Sequence, residues 1–171
     1  MKSFTVACNI VLERERSGYR FVDKVIIPNP SKPELEELEE ALNVSRTFSE
    51  HLKRALELFA DRQSPDYRNS IKESISAVEA LCQLMLGDQK VTLGDALKRI
   101  ENKIGPLHPA FREALNKLYG FTSDAQGIRH ALLGQSDLDV EDARFMLIVC
   151  SAFINYLASK ASKAGLKLQE T

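Results

Sequence analysis

Apolar and polar residues alternate through the first part of the chain. Phe4, Val6, Cys8, Ile10 and Leu12 fall on one side, and Thr5, Ala7, Asn9, Val11 and Glu13 on the other. After the polar stretch ERERSG, Tyr19, Phe21, Asp23 and Val25 share a side opposite Val22 and Ile26. Two-residue alternation on both sides of a glycine-containing polar turn predicts a β-hairpin. PNPSKP ends the second strand, because proline has no N–H to give to a ladder. A lone hairpin is marginal in water, so this one is expected to pack on the remainder of the chain.

From Pro33 onward the period becomes helical. Ser31 and Pro33 open a segment with Leu35, Leu38 and Leu42 on one stripe, its acidic residues toward the N-terminal end, where the helix dipole favours them. Phe48, Leu52, Leu56 and Phe59 mark a second helix that ends near Ser64-Pro65. Asp66 is suited to cap a third, striped by Ile71, Ile75, Val78, Cys82 and Met85 and closed by Gly87. Thr92 caps a fourth, which stops at Gly105-Pro106, and Pro109 starts a fifth, PAFREALNKLYG. Ser123 with Gln126 forms a capping-box pattern before a short helix closed by Gly134. Asp139 opens the last helix, striped by Ala143, Met146, Cys150, Phe153, Ile154 and Leu157. The short connections predict an up-and-down bundle whose central pair are the helices starting at Asp66 and Asp139. The expected organisation is a single domain over residues 1–171: a β-hairpin appendage over 1–30 and a helical bundle over 33–165.

Composition narrows the function classes. The 171 residues are 44% hydrophobic and 27% charged, which is ordinary for a globular chain with a real core. The net charge is -1, so nucleic-acid binding would have to come from a local patch rather than bulk charge. The longest apolar run, Phe145 to Phe153, is too short to span a bilayer, and the first twenty residues lack the apolar stretch of a signal peptide. Three widely spaced cysteines, Cys8, Cys82 and Cys150, build neither a disulfide framework nor a CxxC metal site. A reducing, cytoplasmic compartment is the simplest expectation. HExxH, GxSxG, Walker A and GxGxxG patterns do not occur, which disfavours most hydrolase, kinase and dehydrogenase chemistry. Neither a cofactor nor a metal is expected.

Polar residues lodged within apolar periodicity are the candidates for chemistry. Glu79 lies among Ala77, Val78, Ala80 and Leu81, on one helical stripe with Arg68, Lys72 and Ile75. A carboxylate there is costly to bury unless paired, so the expectation is a largely buried Glu79 bonded to Arg129 or Arg68. Its plain structural reading is a tie between two helices; its functional reading is an acid facing a groove. Gly127 inside a short helix costs on the order of 1 kcal/mol against alanine and points to close approach of a backbone or ligand. Arg129 and His130 follow it, directed about 100° apart around the helix. They read either as structural groups or as a phosphate-binding arginine beside a titratable histidine. A literal Arg-x4-His string, Arg46 to His51, lies on an early helix without a polar residue after the arginine, and is set aside.

These segments resemble a known family. PDYRNSIKESISAVEALC, TLGDALKRI, SDAQGIRHAL and DARFMLIVCSAFINYL together resemble the HEPN-like N-terminal region of AbiJ-type abortive-infection proteins. NIVLERERSGYRFV resembles the segment that precedes the bundle in them. The resemblance implies an all-α, HEPN-like up-and-down helical bundle with the N-terminal β-hairpin, assembled as a homodimer. Many such domains are metal-independent ribonucleases of phage-defence and toxin systems. Their motif is an arginine, a polar residue and a closing histidine a few residues on. Arg129-His130 matches its opening, whereas Gly134, Gln135 and Ser136 stand where the closing histidine belongs.

The resemblance therefore implies Arg129 as phosphate binder and His130 as acid or base, supported by Arg68, Asn69, Lys72 and Glu79, with RNA or a nucleotide as ligand and no membrane. The alternative is a non-catalytic module for dimerisation, sensing or nucleotide binding that regulates an effector. AbiJ-type proteins are longer, so the chain is either a piece of one or a stand-alone version.

Overall fold

The computed structural model describes residues 2–28, 30–123 and 138–168. In chain order the elements are α1 (Lys2–Arg14), β1 (Tyr19–Val22), β2 (Val25–Pro28), α2 (Lys32–Val44), α3 (Arg46–Ala60), α4 (Tyr67–Leu86), α5 (Leu93–Ile104), α6 (Pro109–Ser123) and α7 (Val140–Lys163). The described part is mostly helical, with one two-stranded antiparallel sheet near its start.

The hairpin is smaller than the alternation predicts, and it begins later. Residues 4–12 are helical, and both strands lie within the second half of the expected hairpin, paired Val22 to Val25 and Tyr19 to Pro28 around Asp23-Lys24. Two features of the sequence account for this. Phe4, Cys8, Val11 and Leu12 satisfy a helical stripe as well as Phe4, Val6, Cys8, Ile10 and Leu12 satisfy a strand, because the segment is apolar all round. The turn is also tighter than ERERSG: Asp23 takes a positive φ of 52°, which aspartate tolerates and a two-residue loop requires.

The hairpin joins α1 to the bundle. Val22 and Ile27, on one face of the sheet, are buried in the core. Phe21, on the other face, meets the Phe4 ring edge-on with centroids 6.2 Å apart. The outer edge of β1 is closed by side chains. The Asn9 amide donates to the Phe21 carbonyl and accepts from the Phe21 N–H, both at 2.8 Å, so it stands in for a third strand. Thr5, one turn earlier, donates to the Asp23 carbonyl at 3.4 Å.

The bundle follows the expected periodicity closely. All five stripe residues of α4 are buried, as are Phe48, Leu52, Leu56 and Phe59 of α3. α4 and α7 are the longest described helices and pack on each other; α4 also packs on α3, α5 and α6, and α7 on α2, α3 and α5. The caps fall where the sequence puts them. Asp66 accepts from the Asn69 N–H at 3.0 Å, and Asp139 from the Asp142 N–H at 3.0 Å. Gly87 closes α4 at φ 66°. α3 ends at Ala60, short of Ser64-Pro65, because Asp61 folds back to accept from the Gln63 and Ser64 N–H groups. α6 runs three residues past Gly120. α7 is long and apolar enough to span a membrane by length and composition, although its apolar run alone is not; in the bundle its Ala143, Met146, Cys150, Ile154 and Leu157 are core residues.

Candidate functional site

Arg129 and His130, together with Gly127 and the short helix expected around them, lie outside the described residues. The four supporting residues are described, all on α4. Arg68, Asn69 and Lys72 occupy its first two turns. Asn69 is exposed and donates from its side-chain amide to Asp66 at 2.7 Å, which makes it part of the helix cap. Lys72 is exposed, and Arg68, one turn before it, is half-buried. Four residues apart, the two lie on one face of the start of α4.

Glu79 belongs to a different place. It lies eleven residues beyond Arg68, about 16 Å along the helix axis, out of side-chain reach. The Arg68 half of the expectation is therefore corrected, and its other half, a bond to Arg129, lies outside the described residues. Glu79 is half-buried rather than buried, and its Oε1 accepts from the Leu93 N–H at 3.1 Å. Leu93 is the first residue of α5, so the carboxylate caps the positive end of that helix, where the aligned peptide dipoles favour an anion. The same region of α4 holds the loop before α5 once more, where Gln83 Nε2 donates to the Val91 carbonyl at 3.1 Å, and the last turn of α5 is tied back to α4 by Lys103 Nζ, which donates to the Met85 carbonyl at 2.8 Å. One turn beyond Glu79 sits the buried Cys82, whose thiol is pushed up to about 12 by burial and by the neighbouring carboxylate.

Three further polar pairs escape a reading of the sequence, because each joins helices that sequence spacing cannot relate. His51 Nδ1 lies 2.7 Å from Glu73 Oε2, joining α3 to α4, so the Arg46-to-His51 string ends in a histidine held by a carboxylate. Arg144 Nη2 donates to Glu34 Oε2 at 2.7 Å, joining α7 to α2. Arg112 Nη1 donates to Glu101 Oε2 at 2.6 Å, joining α6 to α5. Burial raises the Glu34 carboxyl, but bonds from Arg144 and Ser31 outweigh it and hold the group below its ordinary 4.5. Among the described residues, no group of three or more histidine, cysteine, aspartate or glutamate side chains is arranged to hold a metal ion. The crevice between α4, α5, α6 and α7, lined by Ile75, Val78, Leu97, Leu115 and Phe153, has room for about 10 Å³ and takes no ligand larger than water.

No protein-family model matches the chain, and no match is found among curated proteins or solved structures.

Proposed function

We propose that the chain is a HEPN-like module of a prokaryotic abortive-infection type protein, acting on RNA through Arg129 and His130 as a homodimer in the cytoplasm. The observation that carries this reading is the combination of sequence and architecture. Two of the segments that resemble the family lie on α4 and α7, the longest described helices, which pack on each other, and a third lies on α5. Arg129-His130 falls in the sequence between α6 and α7, within one of those segments. Cleavage without a metal uses the ribose 2′-hydroxyl as nucleophile. A base takes its proton, the 2′-oxygen attacks the phosphorus, and the departing 5′-oxygen takes a proton from an acid, leaving a 2′,3′-cyclic phosphate and a 5′-hydroxyl. Arg129 supplies the cation for the phosphate and His130 the titratable group, with Arg68, Asn69, Lys72 and Glu79 as supporting polar residues.

The second reading is a non-catalytic module for dimerisation, sensing or nucleotide binding. It is favoured by the missing closing histidine and by the near-neutral net charge of -1. The deciding experiment is incubation of the purified protein with RNA in EDTA, beside an Arg129→Ala, His130→Ala double variant. Cleavage to cyclic-phosphate ends that the double variant loses supports the nuclease. Intact RNA with salt-sensitive binding that Arg129→Ala alone weakens supports the binding module. A monomeric mass in light scattering across a wide concentration range would remove the dimer from both.

A further inference from the structure

Half of the large apolar side chains strongly exposed on the described surface belong to one short helix. On α1, Phe4 is 66% exposed, Ile10 62% and Val6 57%, and Val11 is exposed beside them. At 100° per residue these four and Ala7 fill one continuous arc. The opposite arc, Thr5, Cys8, Asn9 and Leu12, is the half-buried side turned to the hairpin, where Thr5 and Asn9 make their bonds. Residues 4–12 contain no charge at all. A helix tied down by specific hydrogen bonds on one side, and apolar on the other, is built as one half of an interface.

A cleft of about 330 Å³ runs beside this arc. Val6 and Leu42 form apolar walls, and Asp23, Glu39 and Lys53 contribute charge. Lys53 is shared with Glu50 at 3.3 Å, outside the lining, so the carboxylates dominate. Among the described residues no cation pairs with Glu39 or Asp23. Burial, and then the neighbouring Glu36, raise the Glu39 carboxyl above its ordinary 4.5, the direction expected of an acid that lacks a counter-charge.

We propose that the outward face of α1 and this cleft dock a protein partner that presents an amphipathic helix with a lysine or arginine at the edge of its apolar stripe. The apolar side chains would cover Phe4, Val6, Ile10 and Val11, and the cation would reach Glu39 and Asp23. The charge of the site selects this occupant. An anionic lipid surface meets the carboxylates of the cleft and of the acidic run on α2. A second copy of α1 brings no cation along residues 4–12, its charges standing only at the two ends, at Lys2, Glu13 and Arg14, away from the middle of the apolar stripe.

The test uses the whole chain and two synthetic amphipathic helical peptides, leucine on one face and either lysine or glutamate at its flanks. Backbone amide shifts report the site. The lysine peptide is expected to perturb α1, the Asp23-Lys24 loop and residues 39–43, and to bind about tenfold tighter than the glutamate peptide. Ile10→Asp, on a side chain already in solvent, should abolish binding. Glu39→Gln should weaken it about threefold to tenfold and flatten its salt dependence. Phe145→Asp, on the exposed face of α7, should change nothing. Equal binding of both peptides, or indifference to Ile10→Asp, overturns the proposal. So does self-association, or partition onto phosphatidylserine vesicles, that Ile10→Asp removes, since either outcome assigns the face to another occupant.

Discussion

Glu79 shows how one side chain acquires its role from a neighbour far along the chain. A glutamate among alanines, valine and leucine reads as a buried acid seeking an arginine, and the structure gives it a backbone N–H at the start of α5 that the sequence does not announce. That changes the expected cost of removing it. Stranding a buried arginine would cost several kcal/mol, whereas losing a helix-terminal acceptor costs about 1–2 kcal/mol. Glu79→Ala is therefore expected to lower stability by at least about 1–2 kcal/mol in urea unfolding, against a near-zero effect for the exposed Glu36→Ala. No measurable loss would show that the bond to the start of α5 contributes nothing to stability. The cysteines differ from one another for similarly local reasons. Cys82 and Cys150 are core residues whose thiols burial pushes up to about 12, so almost no thiolate exists at neutral pH. Cys8 is half-buried on α1. Alkylation of the native protein followed by mass spectrometry should modify one thiol, and all three after unfolding. A second native adduct would mean that the core around α4 and α7 opens readily.

At the level of elements, the helices with one wet and one dry side were legible, and the element apolar on both sides was not. The stripes of α3 and α4 each have a polar complement, so only one period fits; α7 is apolar over more of its girth, but its 24-residue length and its Asp139 cap fit only a helix. α1 carries apolar residues all round, which lets a strand period and a helix period fit the same letters. What decides between them is the Asn9 amide, whose bonds to Phe21 require a helical face, and no local pattern announces such a long-range contact. The candidate site was legible to a lesser degree. Its α4 residues are where the helical count places them, but a count along one helix does not say which partner each will find, as Asn69 and Glu79 show. Asn9 gives the prediction at this scale. Asn9→Ala removes both bonds to the β1 edge and leaves two peptide groups there without partners, a local cost of about 1–3 kcal/mol. Hydrogen exchange should quicken through α1 and at Phe21, while the protection of α4 and α7 is unchanged. Uniform loss of protection through the bundle would show instead that α1 and the hairpin fold as one unit with it.

For the whole molecule, the decisive contacts are those that fasten the early helices to the last one. Glu34 sits at the start of α2 and serves two masters: it accepts from its own cap, the Ser31 N–H at 2.6 Å, and from Arg144 of α7 at 2.7 Å. Further along the same two helices, Asn155 donates from its side chain to the Glu37 carbonyl at 2.9 Å and to the Glu37 carboxylate at 2.8 Å. These bonds span more than a hundred residues of chain, so they tie α2 to the face of α7 that α4 leaves open. The Glu34 carboxylate holds the Arg144 guanidinium at full strength only when ionised, which links this fastening to pH. The Glu34 carboxyl is held below its ordinary 4.5 in the folded state. Its contribution is therefore complete above that ordinary value and disappears as pH falls through the lower folded value, because the unfolded chain binds the proton first. Glu34→Gln is expected to cost on the order of 1 kcal/mol at neutral pH, since a half-buried pair with a charge-assisted bond exceeds an exposed one. The gap between the variant and the wild-type protein should then close as the pH is lowered through that range, with the two unfolding together once Glu34 is protonated in both states. Urea titrations of both proteins at stepped pH check this. A gap that persists undiminished in acid would show that the side chain acts through packing alone, and that the fastening of α2 to α7 does not depend on its charge.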